Sequence, residues 1–257
     1  MTMKRLMTAA LAALILAAVP GMAAAQEAPP GERATEARED QAATAQRQAD
    51  FVNRLKARAL EAIDERLVTI DELEAAIDRS DTVHPGHAGQ LNGELRGSAA
   101  GLESLAGKIG DADDVETLRA LIPKIFEDYR IYAVVAPKVH LVLAADAAGA
   151  FAERLQAATE SLGDVLNRLE EYGIDVTDAE ALLTEMERLV ATGTESATAV
   201  PGMVLGLTPA DYPESTDILR SAQAELQSAG ADLRAARENA HVIVRFIRSV
   251  VGGDGPV

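Results

Sequence analysis

Residues 128–146 read DYRIYAVVAPKVHLVLAAD, the most apolar stretch of the chain beyond its first twenty residues, and Pro137, Lys138 and His140 interrupt it near its centre. How this stretch is read decides the fold. A membrane span needs an unbroken apolar run of about 18–20 residues, and Lys138, His140 and Asp146 deny it one. A strand has support in the β-branched Val134, Val135, Val139 and Val142 and in the partial alternation of KVHLVL. A helix has more. Leu141, Ala144, Ala148, Phe151, Leu155, Ala158, Leu162, Val165, Leu169 and Tyr172 follow one another at alternating spacings of three and four residues, a heptad seam. A strand ending at Leu143 would surrender the first of these positions. The stretch therefore predicts a helix buried nearly all round, bent at Pro137, with Lys138 reaching for solvent.

Working outward, the same rhythm recurs at the end of the chain. Leu219, Ala222, Leu226, Ala229, Leu233, Ala236, Ala240, Ile243, Ile247 and Val250 repeat the three-and-four spacing. Between the two seams, Leu182, Met186, Leu189, Ala197 and Val200 line a further helix over about 177–204, opened by a capping-box pattern at Thr177 and Glu180 and followed by the breakers Gly206, Pro209 and Pro213. Upstream, Val52, Leu55, Ala59, Ile63, Leu67, Ile70 and Ile77 mark one helix over about 34–79. Leu91, Leu95, Leu102, Leu105 and Ile109 mark another over about 88–109, diluted by Gly93, Gly97, Gly101 and Gly107. Those glycines either weaken the helix by about 1 kcal/mol each or let a neighbour approach closely. Asp113, with Glu116 three residues on, is expected to cap a helix running through Pro123 into the opening stretch.

These pieces predict an all-α fold: an elongated antiparallel bundle of five to six helices, arranged as two tandem three-helix bundles over 51–136 and 137–251 that share one long, Pro-kinked helix. Run straight from 113 to 172, that helix would be roughly 90 Å long. A bundle folded back on itself is the competing arrangement. Residues 26–50, rich in Ala, Glu, Gln and Arg, carry no apolar stripe and are expected to be disordered or a solvated helix extension, and 252–257 a flexible tail.

The first 25 residues read as a secretory leader: Lys4 and Arg5, an apolar core from Leu6 to Val19, then Ala23-Ala24-Ala25 in the small-residue pattern that signal peptidase accepts. Cleavage after Ala25 leaves 22 basic against 41 acidic residues, a net charge of −19 compared with −17 for the whole chain. Such a charge disfavours nucleic acid and anionic lipid surfaces, which need a basic face. No cysteine is present, so stability cannot come from disulfides. With aromatic residues at 3% and no Trp, stacking platforms for sugars or bases are scarce.

The 128–146 stretch, with LTPADYP at 207–213 and LRSAQAELQSAGADLRAARENAHVIVRFI at 219–247, resembles a group of exported all-helical hypothetical proteins of actinobacteria over roughly residues 50–251. The resemblance implies an exported helical protein, and no activity, cofactor or catalytic residue.

Candidate chemistry is sparse. Asp81, His84 and His87 in DTVHPGH offer one carboxylate and two imidazoles to a metal ion, without a third or fourth ligand at defined spacing. The competing reading is a polar interhelical loop. Tyr129, Tyr132 and His140 could border an apolar ligand cavity between helices. Acid pairs such as Glu170-Glu171 are too abundant to single out, and no phosphate loop, G-x-S-x-G elbow or H-E-x-x-H motif occurs. The expectation is an exported, non-enzymatic structural or interaction module of the cell envelope or extracellular space. It would bind a protein partner or a second copy through its helical seams, with no cofactor, no nucleic acid and no membrane span in the mature chain. A carrier of a small ligand or metal in an interhelical cavity is the alternative.

Overall fold

The computed structural model describes residues 30–252. The leader expected over 1–25 and the tail from 253 onward lie outside the described residues. The chain is an all-α bundle, with no strand among the described residues. Among the described residues six α-helices follow in order: α1 (Pro30–Arg79), α2 (Pro85–Asp111), α3 (Val115–Glu127), α4 (Ala136–Glu171), α5 (Thr177–Val204) and α6 (Ser215–Val251). A π-helical turn at Ile131–Val135 precedes α4, and a 3-10 turn at Pro209–Asp211 lies between α5 and α6. Of the described residues, those up to 48 belong to one unit and those from Ala49 onward to a second, the body of the fold. In that N-terminal part α1 is helical and solvated: every side chain described from Arg38 to Gln48 is exposed.

The body holds two apolar cores. In the first, Ile63, Ile70 and Ile77 of α1 pack with Leu91, Leu95 and Leu102 of α2, Leu118 and Ile125 of α3, and Val139 and Val142 of α4. The end of α5 (Val200, Val204) and the start of α6 (Leu219, Ala222) join them. In the second, α4, α5 and α6 pack alone through Leu155, Leu162, Leu166, Met186, Val190, Leu233 and Ile243. The division falls across α4, α5 and α6 rather than between helices.

The third helix does not run unbroken from 113 to 172. It stops at Glu127, and Arg130 takes a left-handed backbone conformation with φ 44°. The carbonyl of Arg130 then accepts the amides of Ala133, Val134 and Val135, which opens the π-helical turn. The interruption therefore precedes Pro137, which is the second residue of α4 and follows the π-helical turn without a break. Pro123 sits inside α3. The cap of α3 is Asp114 rather than Asp113: its carboxylate accepts the amide of Thr117 at 2.8 Å and its hydroxyl at 2.7 Å. Thr177 makes no capping box; the carboxylate of Asp175 accepts the Thr177 amide at 3.1 Å instead.

Along α6 all ten predicted seam positions are buried or half-buried. On α4 the seam is turned by one residue at alternate positions. Ala152, Thr159 and Leu166 are buried, whereas Phe151, Ala158 and Val165 flank them and Tyr172 is exposed. By length and composition the run Val115–Glu171 contains a window apolar enough to cross a membrane. In this fold Ile131, Val134, Val135, Val139 and Val142 of that run are core residues.

Candidate functional site

Lys138 does not reach for solvent. It is wholly buried in the first turn of α4. Its ammonium pairs with Glu94 of α2 and donates to the Leu207 carbonyl, in the α5–α6 linker, at 2.6 Å. A buried ammonium needs this density of partners, because desolvation costs several kcal/mol per ion. In that linker Asp211 accepts the amide and hydroxyl of Thr208, both at 2.7 Å. These bonds, and more weakly the Lys138 charge, hold its carboxyl below the usual value. The polar centre of 128–146 thus ties three segments together.

The α1–α2 loop is tied to α4 by Asp146. Its carboxylate accepts the backbone amide of His84 at 2.9 Å and faces His87 Nδ1 at 3.0 Å. The His84 and His87 rings stand 5.0 Å apart, tilted by 52°. Asp81 is exposed and takes no part, so the carboxylate beside the histidines is Asp146. His84 Nδ1 accepts the Gly86 amide at 3.2 Å, capping α2. That bond places the proton of a neutral ring on Nε2, where it donates rather than ligates. Among the described residues no group of three or more His, Cys, Asp or Glu side chains is placed to hold a metal ion.

Tyr129, Tyr132 and His140 do not line one cavity. Tyr129 packs against α2 at Gly101, so closely that a Cβ there would meet its hydroxyl at 2.6 Å. Burial, and secondarily the charge of Asp128, push its phenol above the usual range. Tyr132 lies on the α1 side, its hydroxyl donating to the Glu65 carbonyl at 3.4 Å and lying 3.3 Å from the Thr69 hydroxyl. His140 is exposed on the opposite border, in a groove between α4 and α6.

The packing around Tyr132 was not anticipated. The guanidinium of Arg66 lies 4.5 Å from the Phe126 ring centre and 5.1 Å from that of Tyr132, and donates to the Ala62 carbonyl. Arg66 is buried, yet Phe126, Tyr132 and neighbouring Val68 remain 47%, 51% and 56% exposed. Beside Tyr132 and Val68 a groove of about 650 Å³ is edged by Glu61, Asp64 and Glu65. The sequence signal for Arg66 was its place between Ile63 and Ile70 on the buried stripe.

No protein-family model, curated protein or solved structure matches the chain.

Proposed function

We propose that the chain is an exported, non-enzymatic helical module that docks a protein partner through the aromatic face of α1, α3 and the π-helical turn. The observation that carries this reading is the exposure of Val68, Phe126 and Tyr132 around one buried arginine. Exposed apolar surface rimmed by polar residues marks interaction sites, and aromatic and arginine side chains carry most binding energy at such surfaces. The ring positions are fixed before binding: Tyr132 is hydrogen-bonded to α1, and Arg66 is stacked between the rings. Little side-chain entropy is then lost on docking. Glu61, Asp64 and Glu65 at the edge select a partner with an apolar centre and basic rim.

The test places a photocrosslinking side chain at Val68 in the producing cell, with Val242 of α6, also exposed, as the control position. A discrete adduct at Val68 alone, identified by mass and reconstituted from pure components, is expected. Its affinity should fall at least tenfold with Val68→Asp. Equal labelling at both positions, or unchanged affinity of the Val68→Asp chain, would overturn the reading.

A further inference from the structure

The groove holding His140 differs chemically from three other cavities among the described residues. It runs between the start of α4 and the first half of α6 and encloses about 650 Å³, within the range of small-molecule sites. Its apolar wall comes from Pro137 and Leu141 on one helix and Leu219 and Leu226 on the other. Ala133 and Ala144 leave it open, because they stand where larger side chains would fill the gap. On α6 the outer wall is Thr216, Arg220, Gln223 and Gln227, at spacings of four, three and four residues, which places them in one row along the helix. This row spans roughly 16 Å.

The charge of the lining is distinctive. The chain carries 41 acidic residues against 24 basic ones. The other described cavities each include at least one carboxylate: Glu61, Asp64 and Glu65 in one, Glu153 and Glu160 in another, Asp146 and Glu153 in the third. The α4–α6 groove has none, and its polar groups, His140, Arg220, Gln223, Gln227 and Thr216, can all donate hydrogen bonds. Arg220 pairs with Asp217 through Nη1 only, and both side chains are largely exposed. Exposed pairs of this kind contribute little, so the guanidinium can turn to a ligand.

We infer that this groove binds a single-chain amphiphile with a carboxylate head, its hydrocarbon along Pro137, Leu141, Leu219 and Leu226 and its head on Arg220 and His140. The inference stands apart from the docking face at Tyr132. Charge complementarity names the occupant: overall charge would draw a cationic amphiphile, so preference for an anion can come only from this local wall.

The test is calorimetric titration of the purified chain with dodecanoate, dodecanol and dodecyltrimethylammonium, each below its micelle concentration. Saturable binding of one dodecanoate per chain is expected, at least tenfold tighter than the trimethylammonium compound. Ala144→Phe, at an exposed position, should fill the groove and weaken dodecanoate at least tenfold with an unchanged circular dichroism spectrum. Arg220→Gln should reduce the preference for the anion several-fold and leave dodecanol binding unchanged. The inference is overturned by absence of saturable binding, by equal or tighter binding of the cation, or by Ala144→Phe without effect. Binding to phosphatidylglycerol vesicles in place of monomeric dodecanoate would also overturn it, since the occupant would then be a membrane surface.

Discussion

Lys138 and Glu94 are partners of unequal burial, and the inequality predicts unequal costs of breaking them. Lys138 has no exposed surface, whereas the Glu94 side chain retains 26%. Removing the carboxylate strands a buried ammonium with only the Leu207 carbonyl to hold it. Removing the ammonium returns Glu94 toward water and leaves one carbonyl short of a donor. Glu94→Ala should therefore cost about 3–5 kcal/mol, and Lys138→Met about 1–3 kcal/mol, measured by urea unfolding. Equal losses would mean that Glu94 holds Lys138 less than their contact indicates. Nothing in KVHLVL revealed this burial, because a lysine on an apolar helix ordinarily snorkels outward. The partner that keeps it inside lies 44 residues away. Still longer separations in sequence hid Asp146 from His87 and Arg66 from its two rings, so the candidate site was far less legible than the fold.

At the scale of the helix, the sequence is clear where the seam is apolar and misleading where it is not. On α6 leucine, isoleucine and alanine occupy the buried stripe, and its register was legible. On α4 the buried stripe includes Thr159, whose hydroxyl is satisfied by the Leu155 carbonyl at 2.8 Å, so a hydrophobic pattern steps aside to Ala158; at 151–152 and 165–166 both neighbours are apolar and the spacing does not choose between them. The break after Glu127 was hidden for another reason: an arginine, with neither glycine nor proline beside it, takes the left-handed conformation. The glycines separate into two kinds. A Cβ added at Gly93, Gly97 or Gly107 would meet nothing within 4 Å, whereas one at Gly193 would meet Leu233 Cγ at 2.8 Å. Alanine at each of the first three should stabilise the bundle by about 0.5–1 kcal/mol. Gly193→Ala should destabilise it by about 1–3 kcal/mol through overpacking against α6, with thermal unfolding as the measure. The helix ends supply a third prediction. Amide and hydroxyl donors of Thr117, Thr177 and Thr208 hold the carboxyls of Asp114, Asp175 and Asp211 below their ordinary value of 3.8. A carboxyl with a lowered folded-state pKa stabilises above the unfolded value, and that contribution fades as pH falls through the folded one. Their share of acid destabilisation thus belongs below about pH 4. Asp114→Asn keeps a capping oxygen without the titration, and should flatten that acid limb while stability at pH 7 stays close to wild type.

Across the whole molecule the dominant electrostatic fact is the excess of 41 acidic over 24 basic residues. Like charges on helix surfaces repel one another, and this repulsion is larger in the compact state than in the unfolded chain. Among the described residues most of the opposing ion pairs are superficial. The Glu185–Arg188 and Asp217–Arg220 pairs are exposed and contribute little, while Lys138 and Glu94 are shielded from salt by burial. Salt should therefore screen more repulsion than attraction. Raising sodium chloride from about 0.01 to 0.1 M shortens the screening length from roughly 30 to 10 Å. It should raise the thermal midpoint, by about 2–4 °C for each kcal/mol of repulsion removed in a chain of this size. Scanning calorimetry at pH 7 in chloride, which avoids the burial-strengthening effect of sulfate, measures the shift. A midpoint that falls with salt would show that ion pairs, not apolar seams, carry the stability of the bundle.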